Sequence, residues 1–509
     1  MTSVINKVMA NGANILIASL TIILCLIGSE VIFRVIDGYQ LTSGPLVVIS
    51  SADTKQFVQS VDARARQYAA EIKIDPSFQL EWYDSNPPEL TDRKPTFPLP
   101  ADWAKAVEKE TGLAQVDLRY WYNYNFMKMV CGGKVHYERL SRFKTSPGFV
   151  YTFVGPDDTP YPQFRYVPRG WDWGATNRNN FGFRGPDISF PKPAQTVRIA
   201  FLGYSTTENG YPWAYPDFVA QILREWARSN GLNVDFDVLN AGRAGVDSSG
   251  MAHIMRYEVA PLQPDIVVVS PGAANLIFRE DVLHRDSTAA RVQSSWHYDN
   301  THYSALAVRL NELMTRIQTA GSEPAKPPHR LTFDLLQDVD VERVDLPFQL
   351  HQEITAMRDI AQVSRAIGAE VFLTSSVVLA HDGLRLDMGR HRLIFELLNG
   401  FYWPLTYAEI RHGVEFENRA YRALSEKDHL GFIEIDKYFP QDPDFFTDTV
   451  HFTYQSGFRL QASIMAQQLA PFIRDKLRKH ELPRQAVADQ DKISWARQTP
   501  KKFDLSCLP

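Results

Sequence analysis

Val197-Arg198-Ile199-Ala200-Phe201-Leu202-Gly203, followed by Tyr204-Ser205-Thr206, is the stretch on which the fold turns. A short run that is apolar but for one arginine, closed by glycine, has the character of a buried strand. Glycine at its end allows a sharp turn, so a hydroxyl just beyond it stands near the start of the next element. Downstream the texture alternates. A helical pattern covers about 214–229, with Phe218, Ile222, Leu223 and Trp226 on one face. Residues 234–239 read as a strand, 247–259 as a helix, and 266–270 (IVVVS) as a third strand. Helical patterns follow near 304–320 and 349–367. Then come a strand at 371–375, a helix at 414–426, a strand at 432–435 and a last helix at 456–473. Strands separated by helices need crossover connections, which means a mainly parallel sheet with helices on both faces.

Outside this alternation the chain has other textures. Its 509 residues leave room for two to four domains at about 100–200 residues each. Charge is nearly balanced, 54 Lys+Arg against 59 Asp+Glu, and no block of five basic residues occurs; nucleic acid is excluded as the main ligand. Three cysteines, Cys25, Cys131 and Cys507, are too few for a disulfide-dense scaffold or a zinc site built from Cys pairs.

Residues 8–29 carry no charged side chain, and 15–28 (ILIASLTIILCLIG) are almost wholly apolar. About 20 residues of helix cross a bilayer core, so the segment is long enough to span. No small-x-small site follows Gly28 for signal cleavage, and Leu24 before Cys25 does not suit a lipoprotein signal. A core helix would carry an amphipathic stripe. The best fit for 1–36 is an uncleaved signal-anchor with Lys7 on the cytoplasmic side, making a single-pass protein of a bacterial inner membrane. The body is then expected in the periplasm or outside the cell, where Cys131 and Cys507 either pair or stay free.

Residues 37–174 form an extension rich in proline and aromatics, including Pro87-Pro88 and Tyr120-Trp121-Tyr122-Asn123-Tyr124. Short elements and long loops are expected there. The aromatic run either packs an irregular subdomain, the more common role, or stacks on sugar rings. Insertions at about 280–348 and 380–412 interrupt the alternating region, and 476–509 is a charged tail.

Ligand sites in such sheets form beyond the carboxyl ends of the strands. The first strand delivers Gly203-Tyr204-Ser205-Thr206, the second Asn240-Ala241-Gly242-Arg243-Ala244-Gly245, the third Gly272-Ala273-Ala274-Asn275. Asp448-Thr449-Val450-His451 precedes the last helix. Singly, these are a cap, turn glycines, another cap and a chance D-x-x-H. In this order, and with Asn179-Asn180-Phe181-Gly182-Phe183-Arg184-Gly185 just upstream, the chain resembles the SGNH (GDSL-type) serine hydrolases. It is closest in pattern to their membrane-anchored bacterial members.

The resemblance covers 175–475 and implies a flavodoxin-like three-layer α/β/α domain with a mainly parallel five-stranded sheet. It makes Ser205 the nucleophile, His451 the general base and Asp448 its orienting carboxylate. Oxyanion donors are then the Ser205 N–H, the Gly245 N–H (Gly242 as the second choice) and the Asn275 amide. Two positions depart from the family pattern: Tyr204 and Leu276 stand where Asp is usual, residues that in the family brace the active-site loops. No cofactor is implied. The 13 histidines form no H-E-x-x-H or similar set, so no metal is expected. The implied activity is hydrolysis of an ester through an acyl-enzyme, with O-acetyl groups of envelope or extracellular carbohydrate as candidate substrates. The alternatives are a carbohydrate O-acyltransferase with the same triad, or a degenerate scaffold that binds glycan or protein.

Overall fold

A computed structural model describes residues 2–36, 54–89, 178–208, 213–243, 246–272, 333–381, 390–402, 405–453 and 455–485. Shorter stretches at 41, 151–153, 164–166, 283–285, 304–307, 309–310, 313–314, 329–331, 383–384 and 386 are also described. The central sheet has five strands: β1 Thr196–Gly203, β2 Asp235–Asn240, β3 Ile266–Ser270, β4 Glu370–Thr374 and β5 Gly431–Ile433. Their order is β2-β1-β3-β4-β5, and every neighbouring pair is parallel. Every residue of β1 and β3 is buried, the reason both read as continuous apolar runs instead of alternating ones.

The sheet is covered by α5 (Tyr215–Ser229) packed on α9 (Ser456–Arg478), and by α6 (Ser248–Ile254) packed on α7 (Leu350–Ala366), which also meets α8 (Tyr407–Lys427). Right-handed crossovers put these two groups on opposite faces. On α5 the expected stripe of Phe218, Ile222, Leu223 and Trp226 is buried, each such side chain contributing about 1.5–3 kcal/mol by its removal from water. Thr406 caps α8 by accepting the Glu409 N–H, while Glu409 takes the Thr406 N–H in return.

Four differences from the sequence reading have physical causes. The helix expected over 247–259 is α only to Ile254, then widens to a π turn (Met255–Val259) and tightens to a 3-10 turn (Ala260–Leu262). The wide turn carries Glu258 inward, where its two oxygens accept from Arg243 Nη1 and Nη2 at 2.9 and 2.7 Å. In the extension 37–174, where only short elements are expected, α2 (Thr54–Glu71) is an 18-residue helix packed on α9, followed by α3 (Leu80–Asp84). Its core-facing stripe is Val61, Ala65 and Ala69, small side chains in a polar sequence that give little periodic signal. The last helix continues past Ile473 to Arg478. Part of the charged tail folds back with it: Leu482 is buried and the Arg484 N–H donates to Asp265. Most of the helix expected over 304–320 lies outside the described residues, as do the aromatic run 120–124, Cys131 and Cys507; Cys25 is exposed and free.

At the N-terminus α1 (Thr2–Ile36) is one continuous helix. Its segment Ile17–Ile36, with mean hydropathy 2.0, is long and apolar enough to cross a membrane. Ile22, Leu24, Leu26 and Ile27 stand exposed, unlike the side chains of a core helix.

Candidate active site

The strand order reverses between β1 and β3, the point at which ligand sites form in such sheets, and there Gly203 hands over to α4 (Ser205–Glu208). Close packing dictates glycine here. A Cβ on Gly203 would lie 2.1 Å from Thr207 Oγ1 and 2.9 Å from the Ser270 carbonyl. The turn is tied from behind by Tyr215, whose hydroxyl meets Thr207 Oγ1 at 3.3 Å and Ser270 Oγ at 3.1 Å. Burial pushes that phenol up to about 12, with the Ser270 and Thr207 hydroxyls pulling the other way. Ser205 therefore starts a helix whose backbone is pinned on both sides.

The second block packs against the same turn. Gly242 sits so close that a Cβ would be 2.5 Å from the Glu208 nitrogen. Asn240 Nδ2 donates to the Thr207 carbonyl at 3.0 Å, the Arg243 N–H donates to the Gly203 carbonyl at 3.0 Å, and the Gly242 N–H donates to Asn240 Oδ1 at 3.1 Å. That last bond occupies the Gly242 N–H, which removes it as an oxyanion donor. Gly245 and Asn275, the donors named from the sequence, and Leu276 lie outside the described residues.

The upstream N-x-x-G-F-R-G segment is a braced turn. Asn179 Oδ1 accepts the Phe181 and Phe183 N–H groups at 2.9 and 3.0 Å, and Gly182 takes a positive φ of 84°. Arg184 bridges to Asn240 of β2, and Arg178 pairs with the buried Glu208 at 2.6 Å. The segment thus supports the second block and α4 from the sheet edge.

Asp448 and His451 sit at the tip of a loop closed at Phe446 and Phe452. Asp448 Oδ1 accepts the Val450 and His451 N–H groups at 2.8 and 2.7 Å, and Oδ2 meets His451 Nδ1 at 2.7 Å. The three-residue spacing thus makes one rigid turn that also orients the ring. His451 Nε2 lies 2.8 Å from Ser205 Oγ. Burial raises the Asp448 carboxyl, but the bond and charge of His451 and the two backbone N–H groups bring it below its ordinary value. An ionised Asp448 stabilises an imidazolium at His451, the electrostatics a serine–base pair needs. Asp448, His451 and Ser205, named from positions far apart in the chain, form one hydrogen-bonded line.

Behind Tyr204 lies a polar cluster that no local pattern announces. The Tyr204 hydroxyl donates to Glu353 Oε1 of α7 at 3.1 Å. Burial pushes Glu353 up to about 7, helped by Asp247 and opposed by Tyr204 and Ser248. On α8, Glu417 is fully buried with no hydrogen bond to either oxygen, and burial, then Glu353, holds it far above the usual carboxylate range. Tyr421, one turn on, is raised well above its ordinary value by burial, then by Glu353 and Glu417. The only hint in the sequence is Glu417 within the apolar stripe Ile410, Val414, Tyr421, Leu424. Where the resemblance expects a bracing Asp, this chain has a phenol held by a buried carboxyl. Among the described residues no group of three or more His, Cys, Asp or Glu side chains is placed to hold a metal ion.

No family model matches the chain, and no curated protein matches it. Solved structures similar to it include a GDSL-like lipase from Bacteroides thetaiotaomicron, 13% identical over 55% of this chain and 88% of its own, with a TM-score of 0.27. An acetyl xylan esterase from Geobacillus stearothermophilus is 11% identical over 54% and 94%, at 0.30. Another acetyl xylan esterase is 14% identical over 53% and 98%, at 0.28.

Proposed function

We propose that this protein is a serine ester hydrolase of the SGNH type. The observation that supports the reading is the line Asp448–His451–Ser205, with contacts of 2.7 and 2.8 Å, at the switch point of a parallel sheet. A serine hydroxyl is a poor nucleophile until a base within hydrogen-bond reach takes its proton. In the proposed reaction His451 Nε2 accepts the Ser205 Oγ proton as Oγ attacks the acyl carbon. The charge that develops on the carbonyl oxygen falls to the Ser205 N–H at the first turn of α4 and, by the family resemblance, to Gly245 and Asn275. Each such donor is worth about 10²–10³ in rate. His451 returns the proton to the leaving alcohol; water, activated by the same imidazole, then releases the acid.

The exposed apolar face of α1 has a place in lipid and none in water, so we read it as a membrane anchor with the body on the non-cytoplasmic side. Acyl groups on envelope or extracellular carbohydrate are the proposed substrates. The test is reaction of the full chain, in detergent, with a serine-directed fluorophosphonate and with an aryl acetate, beside Ser205→Ala. Labelling and acetate release are expected in the native protein, with a loss of about 10³-fold or more in the variant. Labelling with turnover only when a glycan acceptor is added identifies an acyltransferase. Absence of labelling between about pH 6 and 9 overturns both enzymatic readings and leaves a binding scaffold.

A further inference from the structure

Helix α2 lies outside the five-stranded sheet, yet one face of it meets the loop that carries Asp448 and His451. Arg64 Nη1 donates to Asp442 Oδ2 at 3.0 Å and Nη2 to Asp444 Oδ2 at 2.5 Å. The same guanidinium lies 5.8 Å from the Phe445 ring centre, and Tyr68, one turn on, meets that ring edge-on at 5.7 Å. Asp62 accepts the Ser456 hydroxyl just beyond the loop, and Phe57 lies 4.7 Å beneath Arg390. Both carboxylates that Arg64 grips have second tasks. Asp442 Oδ1 caps the Pro443–Phe445 turn through the Asp444 N–H at 3.0 Å, and Asp444 Oδ1 meets His391 Nε2 at 2.8 Å.

From this grip to the tip the connection is short and stiff. The Phe445 carbonyl accepts the Thr453 N–H at 2.8 Å, Phe446 pairs with Phe452, and the Thr447 N–H donates to the His451 carbonyl at 2.8 Å. Phe439 stacks on Phe452 at 3.9 Å. By contrast His451 meets Ser205 through a single bond, with its side chain about a quarter exposed (23%). The tip stays in register only as well as its stem is held.

We propose that Arg64 is a positioning residue for the esterase reaction: by joining Asp442 to Asp444 at the stem, it holds His451 against Ser205. The extension helix is then a working part of the hydrolase. This rests on the serine-hydrolase reading, and the test separates the two. Arg64→Gln, Arg64→Lys and, as a control on the same helix, Arg66→Gln are made in the full chain. Each is followed by kcat and KM on an aryl acetate, and by the low-field ¹⁵N-histidine signal of the His451–Asp448 hydrogen bond, which needs no turnover.

Displacement of a positioned group by about 1 Å costs on the order of 10²-fold in rate. Arg64→Gln is therefore expected to lower kcat by about 10- to 100-fold with KM within about twofold, and to broaden or shift the histidine signal. Arg64→Lys restores part of both, and Arg66→Gln changes neither. Native kcat and an unchanged histidine signal in Arg64→Gln overturn the proposal; so does an equal loss in Arg66→Gln, which marks general loosening of α2. If the native chain proves inactive, the hydrolase reading fails while the histidine signal still decides whether Arg64 holds the loop.

Discussion

At the N-terminal end of the parallel sheet, Asp265 collects the Lys192 ammonium at 2.5 Å, the Arg198 N–H at 2.8 Å and the Arg484 N–H at 3.0 Å. Arg198, fully buried within β1, satisfies its guanidinium on Asp237 and on the Leu262 and Ser189 carbonyls. Beyond the C-terminal end two polar features differ from this: the Ser205–His451 contact stands partly open, and Glu417 on α8 has no hydrogen bond to either oxygen. The same sheet thus carries a closed end organised around one buried carboxylate and a partly open end where a buried carboxyl lacks a hydrogen bond. Saturated buried charges hold a chain together only while every partner is present. Under-satisfied groups retain protons, and protons can be moved.

Removing the hub tests the closed end. Asp265→Ala leaves the Lys192 charge buried without its partner, and a loss of about 3–5 kcal/mol of stability is expected by urea unfolding, with kcat of the folded fraction on an aryl acetate unchanged. A fall in kcat at constant stability would erase the contrast between the ends.

The open end is tested by pH. The folded value of Glu353, about 7, lies above the 4.5 of an exposed glutamate, so the folded protein keeps a proton that the unfolded chain has released. Its contribution to stability is therefore present below pH 4.5 and lost as pH rises toward 7, by on the order of 3 kcal/mol. Glu353→Gln should reduce the slope of unfolding midpoints across that window, the remainder coming from Glu417, which also keeps its proton when folded. An unchanged slope would mean that Glu353 is not the titrating group.

Gly203→Ala probes the turn between strand and serine. The new Cβ meets Thr207 Oγ1 and the Ser270 carbonyl, so α4 must shift, and kcat on an aryl acetate is expected to fall by about 10²-fold. Loss of stability without loss of rate would show that the turn is a packing feature only. The smallest effect is expected from Arg66→Gln, at an exposed pair with Asp84 that belongs to neither end of the sheet: no measurable change in unfolding midpoint or rate.

Much of this was legible in the residues. Strands β1 and β3 announce themselves because parallel strands covered on both faces must be apolar throughout. Asp448 and His451 are legible only in company: alone D-x-x-H is a chance match, and its order after the other three blocks is what carries the resemblance. Glu353 and Arg64 are not. Glu353 is a single buried carboxyl on α7 and Arg64 one of several charged residues on α2, and the partner of each, Tyr204 or Asp444, comes from a distant part of the chain. Helix α2 escapes for a related reason: its buried face is two alanines and a valine, and only contact with α9 makes that face a core.

The chain by itself determined the order of strands and helices and the glycine at the end of β1, since these depend on neighbours within a few residues. Only the tertiary structure decided that Gly242 packs against α4, that Tyr204 is braced by a buried carboxyl, and that an extension helix grips the stem of the histidine loop. Those facts depend on distances between groups tens to hundreds of residues apart, and packing alone sets such distances.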